Sequence, residues 1–130
     1  SEPKFHILIV EDEEVNYLYL ETLFIDILKS DCQILHAKNG KEALDICKHK
    51  PALDLVMMDL KMPIIDGFVA SKMIRELYPK LPIIAQSAYS SIEDEDKAIL
   101  AGCNKFMSKP IMRSTLKKVT SEYIDIPKEK

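Results

Sequence analysis

The chain has 130 residues, 47% hydrophobic and 30% charged, with a net charge of −3. This is the composition of one soluble globular domain, long enough to bury a proper core. The acidic balance argues against a nucleic-acid surface, no apolar run approaches the roughly 20 residues of a membrane span, and no signal peptide is read at the start, where Ser1 leaves the native beginning open.

In chain order, "FHILIV" (5–10) reads as a first strand. Residues 14–29 then carry apolar side chains at helical spacing. Asn16, Tyr19, Leu20, Leu23, Phe24 and Ile27 make a core stripe, and Val15, Leu18, Thr22 and Ile25 make a second stripe beside it. "CQILHA" (32–37) predicts a second strand, and the turn signal Asn39-Gly40 opens a short helix over 39–48. "LDLVMM" (53–58) predicts the third strand. A helix over 66–77 opens on Asp66, an N-cap or turn residue, and offers Phe68, Met73, Ile74 and Leu77 to the core. "PIIAQS" (82–87) is the fourth strand. The next helix, 92–101, starts in the solvated "EDED" (93–96) and stops at Gly102, a good C-terminal cap. "KFMS" (105–108) is a brief fifth strand, and Met112, Leu116, Val119 and Tyr123 share one face of a last helix. The expected domain is 1–130, with a core of about 5–125 and loose ends at 1–4 and 126–130.

Five strands alternate with five helices. Strands that are apolar throughout, rather than at every second residue, are buried on both faces. The expected fold is therefore α/β, a doubly wound parallel sheet with helices on both sides. Cys32, Cys47 and Cys103 are odd in number and lack metal spacing, so they read as buried or half-buried reduced thiols of a cytoplasmic protein. His6, His36 and His49 show no ligand spacing and read as structural or exposed.

Asp59 follows Leu55-Val56-Met57-Met58, where an unpartnered carboxylate is costly. Polar residues also follow the other strands: Glu11-Asp12 the first, Ser87 the end of the fourth, Lys109-Pro110 the fifth. Ligands of open parallel sheets bind beyond the carboxyl ends of the strands, at the switch in strand order. With the order 2-1-3-4-5, Glu11, Asp12 and Asp59 converge there, Ser87 flanks Asp59, and Lys109 arrives from the edge. Two unit charges about 4 Å apart repel by roughly 4 kcal/mol at an effective dielectric near 20, so the group wants a cation. An all-oxygen site that leaves room for waters suits Mg2+. Mg2+ could bridge a carboxylate nucleophile and an incoming phosphoryl group, and aspartate is a known phosphoryl acceptor. Asp59, alone at its strand end, is the candidate nucleophile. Ser87 and Lys109 are the candidate donors to phosphoryl oxygens.

The stretches "ILIVEDEEVN" (7–16), "LVMMDLKMPIIDG" (55–67), "PIIAQSA" (82–88) and "GCNKFMSKPI" (102–111), in this order and spacing, resemble the receiver domains of two-component response regulators over nearly the whole chain. The resemblance implies a flavodoxin-like (βα)5 fold, and the strand order 2-1-3-4-5 leans on it. It implies Asp59 as the phosphoacceptor, Glu11 and Asp12 as the acidic pair holding Mg2+, and the backbone carbonyl of Lys61 as a further ligand. Ser87 looks like the switch hydroxyl, Phe106 the switch aromatic, and Lys109 the phosphate-pairing lysine, joined to Pro110 by a cis bond. Three positions depart from the commoner pattern: Glu11 for aspartate, Ser87 for threonine, and Phe106, which lacks a tyrosine hydroxyl. Asn16, "EDEEVN" and "GCNKFMSKPI" look most like receivers of hybrid sensor histidine kinases.

The implied function is to take a phosphoryl group from the phosphohistidine of a histidine kinase or histidine phosphotransfer domain and to shift a two-state surface in response. The implied domain is a switch rather than a conventional enzyme. It has no nucleic-acid or membrane contact of its own, and dimerisation is left open. Part of the second stripe on the first helix, Val15 and Leu18 with Tyr17, is expected to dock the histidine-bearing partner; the competing reading is a wide core face. An aspartate-dependent phosphatase would need a second acid two residues after the nucleophile, and Asp59-Leu60-Lys61 has none. A flavin protein would need a Gly/Ser/Thr phosphate cradle that the strand-end loops lack. A pseudo-receiver, binding partners without phosphorylation, is the remaining alternative.

Overall fold

A computed structural model describes residues 2–49, 52–88 and 91–128. Five strands, β1 (Phe5–Val10), β2 (Cys32–Ala37), β3 (Leu55–Asp59), β4 (Ile83–Ser87) and β5 (Lys105–Ser108), alternate with five helices. These are α1 (Glu14–Ile27), α2 (Gly40–His49), α3 (Gly67–Leu77), α4 (Ile92–Leu100) and α5 (Arg113–Ser121). The strands form one parallel sheet of order β2-β1-β3-β4-β5, the flavodoxin-like arrangement expected.

Strand alternation divides the core in two. Leu8, Val10, Val56, Met58, Ile83 and Ala85 face one side, where they pack with Ala43, Leu44 and Cys47 of α2, Ala70 and Ile74 of α3 and Ala98 of α4. Phe5, Ile7, Ile9, Leu55, Met57 and Ile84 face the other, against Leu20, Phe24 and Ile27 of α1 and Leu116 of α5. Burial on both faces is why β1, β3 and β4 read as unbroken apolar runs.

Helix ends follow local chemistry. Asp66 caps α3 by accepting from the Val69 N–H at 3.0 Å, and Ser91 caps α4 by accepting from the Asp94 N–H at 3.0 Å. Asn39 sits before α2 and accepts from the Glu42 N–H at 2.9 Å, so that helix starts one residue later than expected. α1 stops at Ile27 rather than continuing to 29, because Lys29 and Ser30 take left-handed backbone (φ 54° and 63°) and the Ser30 N–H closes back on the Ile25 carbonyl. Gly102 ends α4 at φ +103°, where a Cβ would also strike the Arg75 side chain. Arg75 uses that closeness: its guanidinium donates to the Gly102 carbonyl, to Asn104 Oδ1 and to the Tyr78 carbonyl. Asn104 Oδ1 in turn accepts from the Ile83 N–H. This ties α3 to the turn that sets β4 and β5 in place.

Several core assignments change. Tyr17, expected to meet a partner, is 8% exposed and packs in the α1/α5 core, whereas Tyr19, expected inside, is 41% exposed. Leu20, Phe24 and Ile27 of the expected core stripe are buried as expected, so the change is confined to the first turns of the helix, where Tyr17 rather than Tyr19 turns inward. On α3, Met73 and Leu77 are exposed, and Ala70, Ser71 and Ile74 are the buried face. Met112 precedes α5 as an exposed cap residue, and Ile111 takes the buried place instead. Ile126, expected in a loose end, packs partly buried on the α1/α5 core. The loose ends expected at 1 and 129–130 lie outside the described residues.

Candidate functional site

Alternation along the strands decides which polar residues meet. Asp59 is two residues on from Met57 in β3, and Glu11 two on from Ile9 at the end of β1. Lys109 is two on from Met107 beyond β5. All three therefore emerge on the α1/α5 side of the sheet, at the carboxyl ends of β1, β3 and β5. Asp12 follows Glu11 and stays exposed. Glu11, Asp12 and Asp59 each place a carboxylate oxygen so that the three lie within 4.8 Å of one another. Glu11 is fully buried and Asp59 is 3% exposed.

Lys109 is the cation that Glu11 and Asp59 share. Its Nζ lies 3.2 Å from Glu11 Oε1 and 3.5 Å from Asp59 Oδ2. Burial alone would lower its pKa, but Asp59 and Glu11 outweigh that and hold it above the ordinary lysine value. Asp59 is shifted the other way for an acid. Burial first, and the Glu11 carboxylate second, raise its pKa from 3.8 to about 7, against the lowering pull of Lys109 and of the Lys61 N–H, which donates to Asp59 Oδ1 at 3.2 Å.

Glu11 is held from several directions. Its Oε1 accepts from Asn16 Nδ2 and, at 3.5 Å, from Gln86 Nε2. Its Oε2 accepts from the Glu13 N–H at 3.2 Å. Behind it, His36 Nε2 is 2.8 Å from the Glu11 carbonyl oxygen, and the His36 ring stacks on Tyr17 with centroids 3.6 Å apart and planes 8° from parallel. The Tyr17 hydroxyl donates to Glu21 at 2.7 Å. Asn16, Gln86 and His36 were not recognised as parts of this site from the sequence. Gln86 shares the strand parity of Ile84, which puts it on the α1/α5 side, but its place opposite Asp59 follows only from the register of β3 and β4.

The backbone beyond β3 is packed tightly. The Leu60 N–H donates to the Gln86 carbonyl at 3.1 Å and the Gly67 N–H to the Leu60 carbonyl at 3.2 Å. A Cβ on Gly67 would sit 2.2 Å from the Asp59 carbonyl oxygen, so α3 can start this close to Asp59 only with glycine there. Ser87 is buried one residue beyond Asp59's partner on β4, and its carbonyl accepts from the Lys109 N–H at 2.9 Å. Lys109-Pro110 is cis, as expected. Phe106 is half-buried and packs on the opposite side of the sheet, against the core under α2, α3 and α4. Lys61 is exposed, with its Nζ 3.8 Å from Asp94 on α4. Val15 and Leu18 lie on the outer side of α1, 82% and 48% exposed. The structure thus brings together Glu11, Asp12, Asp59, Lys109 and the Lys61 backbone, sets Ser87 at their flank, and leaves Phe106, Val15 and Leu18 outside the acidic cluster.

Three buried or clustered carboxylates against one ammonium leave an excess of negative charge. The donors are all oxygen, and burial first and the Glu11 carboxylate second disfavour a charged Asp59, a cost that a further cation would offset. The residues present therefore fit a hard divalent ion.

The chain is similar to known proteins over most of its length. The family described as response regulator receiver domain matches residues 7–121. Hybrid signal transduction histidine kinase A of Dictyostelium discoideum is 38% identical over 121 residues, which is 89% of this chain but 6% of that protein. The chain likewise spans 22%, 17% and 20% of the next three curated relatives it matches. Among solved structures, one is the Saccharomyces cerevisiae histidine phosphotransfer protein Ypd1 in co-crystal with the receiver domain of its downstream response regulator Ssk1. It matches with a TM-score of 0.82 at 33% identity, covering 95% of this chain and 90% of that one. Another is the receiver domain of a sensor histidine kinase of Pseudomonas aeruginosa PAO1, with a magnesium ion coordinated in its active-site cleft. Its TM-score is 0.82 at 26% identity, covering 92% and 96% of the two chains.

Proposed function

The chain belongs to the response regulator receiver family of two-component phosphorelays, and on that premise we propose that Asp59 is its phosphoacceptor. The observation that carries the reading is the convergence of Glu11, Asp12 and Asp59 within 4.8 Å, with Lys109 reaching two of the three.

Asp59 attacks the phosphorus of a partner's phosphohistidine. A carboxylate–phosphorus bond forms as the phosphorus–nitrogen bond breaks, and the imidazole leaves with the electron pair and takes up a proton. Glu11 and Asp12, with Asp59 and the Lys61 carbonyl, would hold Mg2+. Bound there, Mg2+ neutralises charge on the transferring oxygens. Lys109 moves its donors from the carboxylates to a phosphoryl oxygen. Ser87 donates to another, and the change is read out at Phe106 as a shift in packing, since that side chain has no hydroxyl to bond. Hydrolysis of the acyl phosphate resets the site. The domain is a switch, not a turnover enzyme.

The partner is a histidine kinase or histidine phosphotransfer domain. The likeness to the Ssk1 receiver seen with Ypd1 supports this, and so do Val15 and Leu18, large apolar side chains left in solvent beside the site. The likeness to a hybrid kinase supports a place within a larger sensor protein. The three free thiols suit a cytoplasmic setting, and among the described residues no helix is long and apolar enough to cross a membrane.

Intact mass after incubation with acetyl phosphate tests the reading. We expect a gain of one phosphoryl group that needs Mg2+ and is absent in Asp59→Asn. No gain from acetyl phosphate or from a phosphorylated partner would overturn it in favour of a phosphorylation-independent interaction module.

A further inference from the structure

Gln86 is an uncharged side chain set among the charges of the site. It is fully buried and stands directly opposite Asp59 in the pairing of β3 with β4. Its Nε2 points to Glu11 Oε1 at 3.5 Å. Its Oε1 is buried without a hydrogen-bond partner among the described residues. A buried amide oxygen with no donor costs free energy, and native structures rarely keep one without a use.

The donor nearest in role is Lys109. Gln86 Nε2 and Lys109 Nζ share one acceptor, Glu11 Oε1, at 3.5 and 3.2 Å. They come from adjacent strands, joined at this end by the Lys109 N–H to the Ser87 carbonyl. The Lys109 side chain is 16% exposed. When Glu11 and Asp59 turn their oxygens to a divalent cation, the ammonium loses both acceptors in a place where little water reaches it. It then needs an acceptor inside the protein.

We propose that Gln86 is a positioning residue of this site: its amide N–H anchors Glu11, and its open amide oxygen receives Lys109 when that ammonium leaves the carboxylates. The proposal rests on the phosphoacceptor reading and adds a residue to it. Gln86 eases the displacement of Lys109 and so sets cation affinity, without touching cation or phosphoryl group.

Gln86→Met keeps the volume and removes both polar atoms. By titration calorimetry it should weaken Mg2+ binding about tenfold, the loss of one charge-assisted hydrogen bond. In EDTA it should melt no lower than wild type, because the orphan oxygen is gone. A merely structural glutamine would do the opposite, lowering the melting temperature and leaving Mg2+ affinity alone, and that result overturns the proposal. In a Lys109→Met background the effect of Gln86→Met on Mg2+ affinity should shrink to the part owed to the Glu11 anchor; an effect undiminished there also overturns the proposal. Should Gln86→Met fail to fold, side-chain amide NMR of the wild type decides. The chain's two glutamines are Gln33 and Gln86, and of these two side-chain amides the Gln86 one should shift on adding Mg2+. An unmoved Gln86 amide refutes the idea. Wild type that binds no Mg2+ overturns the cation reading and this proposal together, whereas normal wild-type binding with an unaltered Gln86→Met overturns this proposal alone.

Discussion

The Lys109 ammonium sits 3.2 Å from Glu11 Oε1, and Glu11 is wholly buried. In the metal-free protein this ammonium is the cation closest to two buried acids, and their stability depends on it. Removing one member of a buried charge pair strands the other. Lys109→Met should therefore destabilise the protein in EDTA by about 2–3 kcal/mol, measured by urea unfolding. Added Mg2+ should recover most of that loss, since a second cation then faces the same oxygens. A variant as stable as wild type in EDTA would contradict this account of the cluster.

The raised pKa of Asp59 sets a pH dependence. Its ordinary value is 3.8 and its folded value about 7, so between these the folded state binds a proton that the unfolded state has released. Stability from this group is thus greatest below pH 4 and falls as pH rises towards 7, where it levels off. At about 1.4 kcal/mol per pH unit over roughly three units the loss is on the order of 4 kcal/mol. Asp59→Asn cannot lose the proton. In EDTA it should be the more stable protein at pH 8, with the advantage shrinking towards pH 4. Melting curves of both across that range, with and without Mg2+, check the sign, and Mg2+ should narrow the gap at pH 8 by favouring the wild-type carboxylate.

Gly67 holds Asp59 from behind. A Cβ there would lie 2.2 Å from the Asp59 carbonyl oxygen and 2.6 Å from Leu60 Cα, both backbone atoms that cannot swing aside. Gly67→Ala should cost about 2 kcal/mol or more by overpacking. It should also slow acetyl phosphate labelling in the fraction that stays folded, because Asp59 is displaced. Urea unfolding and mass-detected labelling read the two effects separately.

On α1 two neighbouring positions should behave oppositely. Val15 is 82% exposed, so Val15→Glu should shift stability by less than about 0.5 kcal/mol. If that face docks the histidine-bearing partner, phosphotransfer from the partner should slow about tenfold while acetyl phosphate labelling is unchanged. Tyr17 is buried and stacked on His36. Tyr17→Ala should cost about 3 kcal/mol by leaving a cavity, visible in urea unfolding before any effect on transfer is considered. Equal transfer rates for wild type and Val15→Glu would remove the docking role from this face.

The sequence by itself determined the five strands, their alternation with helices, the helix caps at Asp66 and Gly102, and the placing of Glu11, Asp12, Asp59 and Lys109 just past strand ends. Each rests on a short-range rule: unbroken apolar runs, a capping side chain, a glycine free of Cβ strain, an acid or base just past a strand. That these ends converge took the strand order, which leaned on the family resemblance. Only the tertiary structure decided which tyrosine of α1 turns inward at the edge of its buried face. Periodicity picks out Leu20, Phe24 and Ile27 as the face that meets the sheet, but is blind to the edge of that face. That is how Tyr17 and Tyr19 exchange places, one stacking on His36 and the other turning outward to bond the Ile111 carbonyl. The same limit hid Asn16, His36 and Gln86. Their partner, Glu11, is near in space but lies 5, 25 and 75 residues away along the chain. No local pattern carries such a contact; it exists only once neighbouring strands are in register and α1 is docked on the sheet.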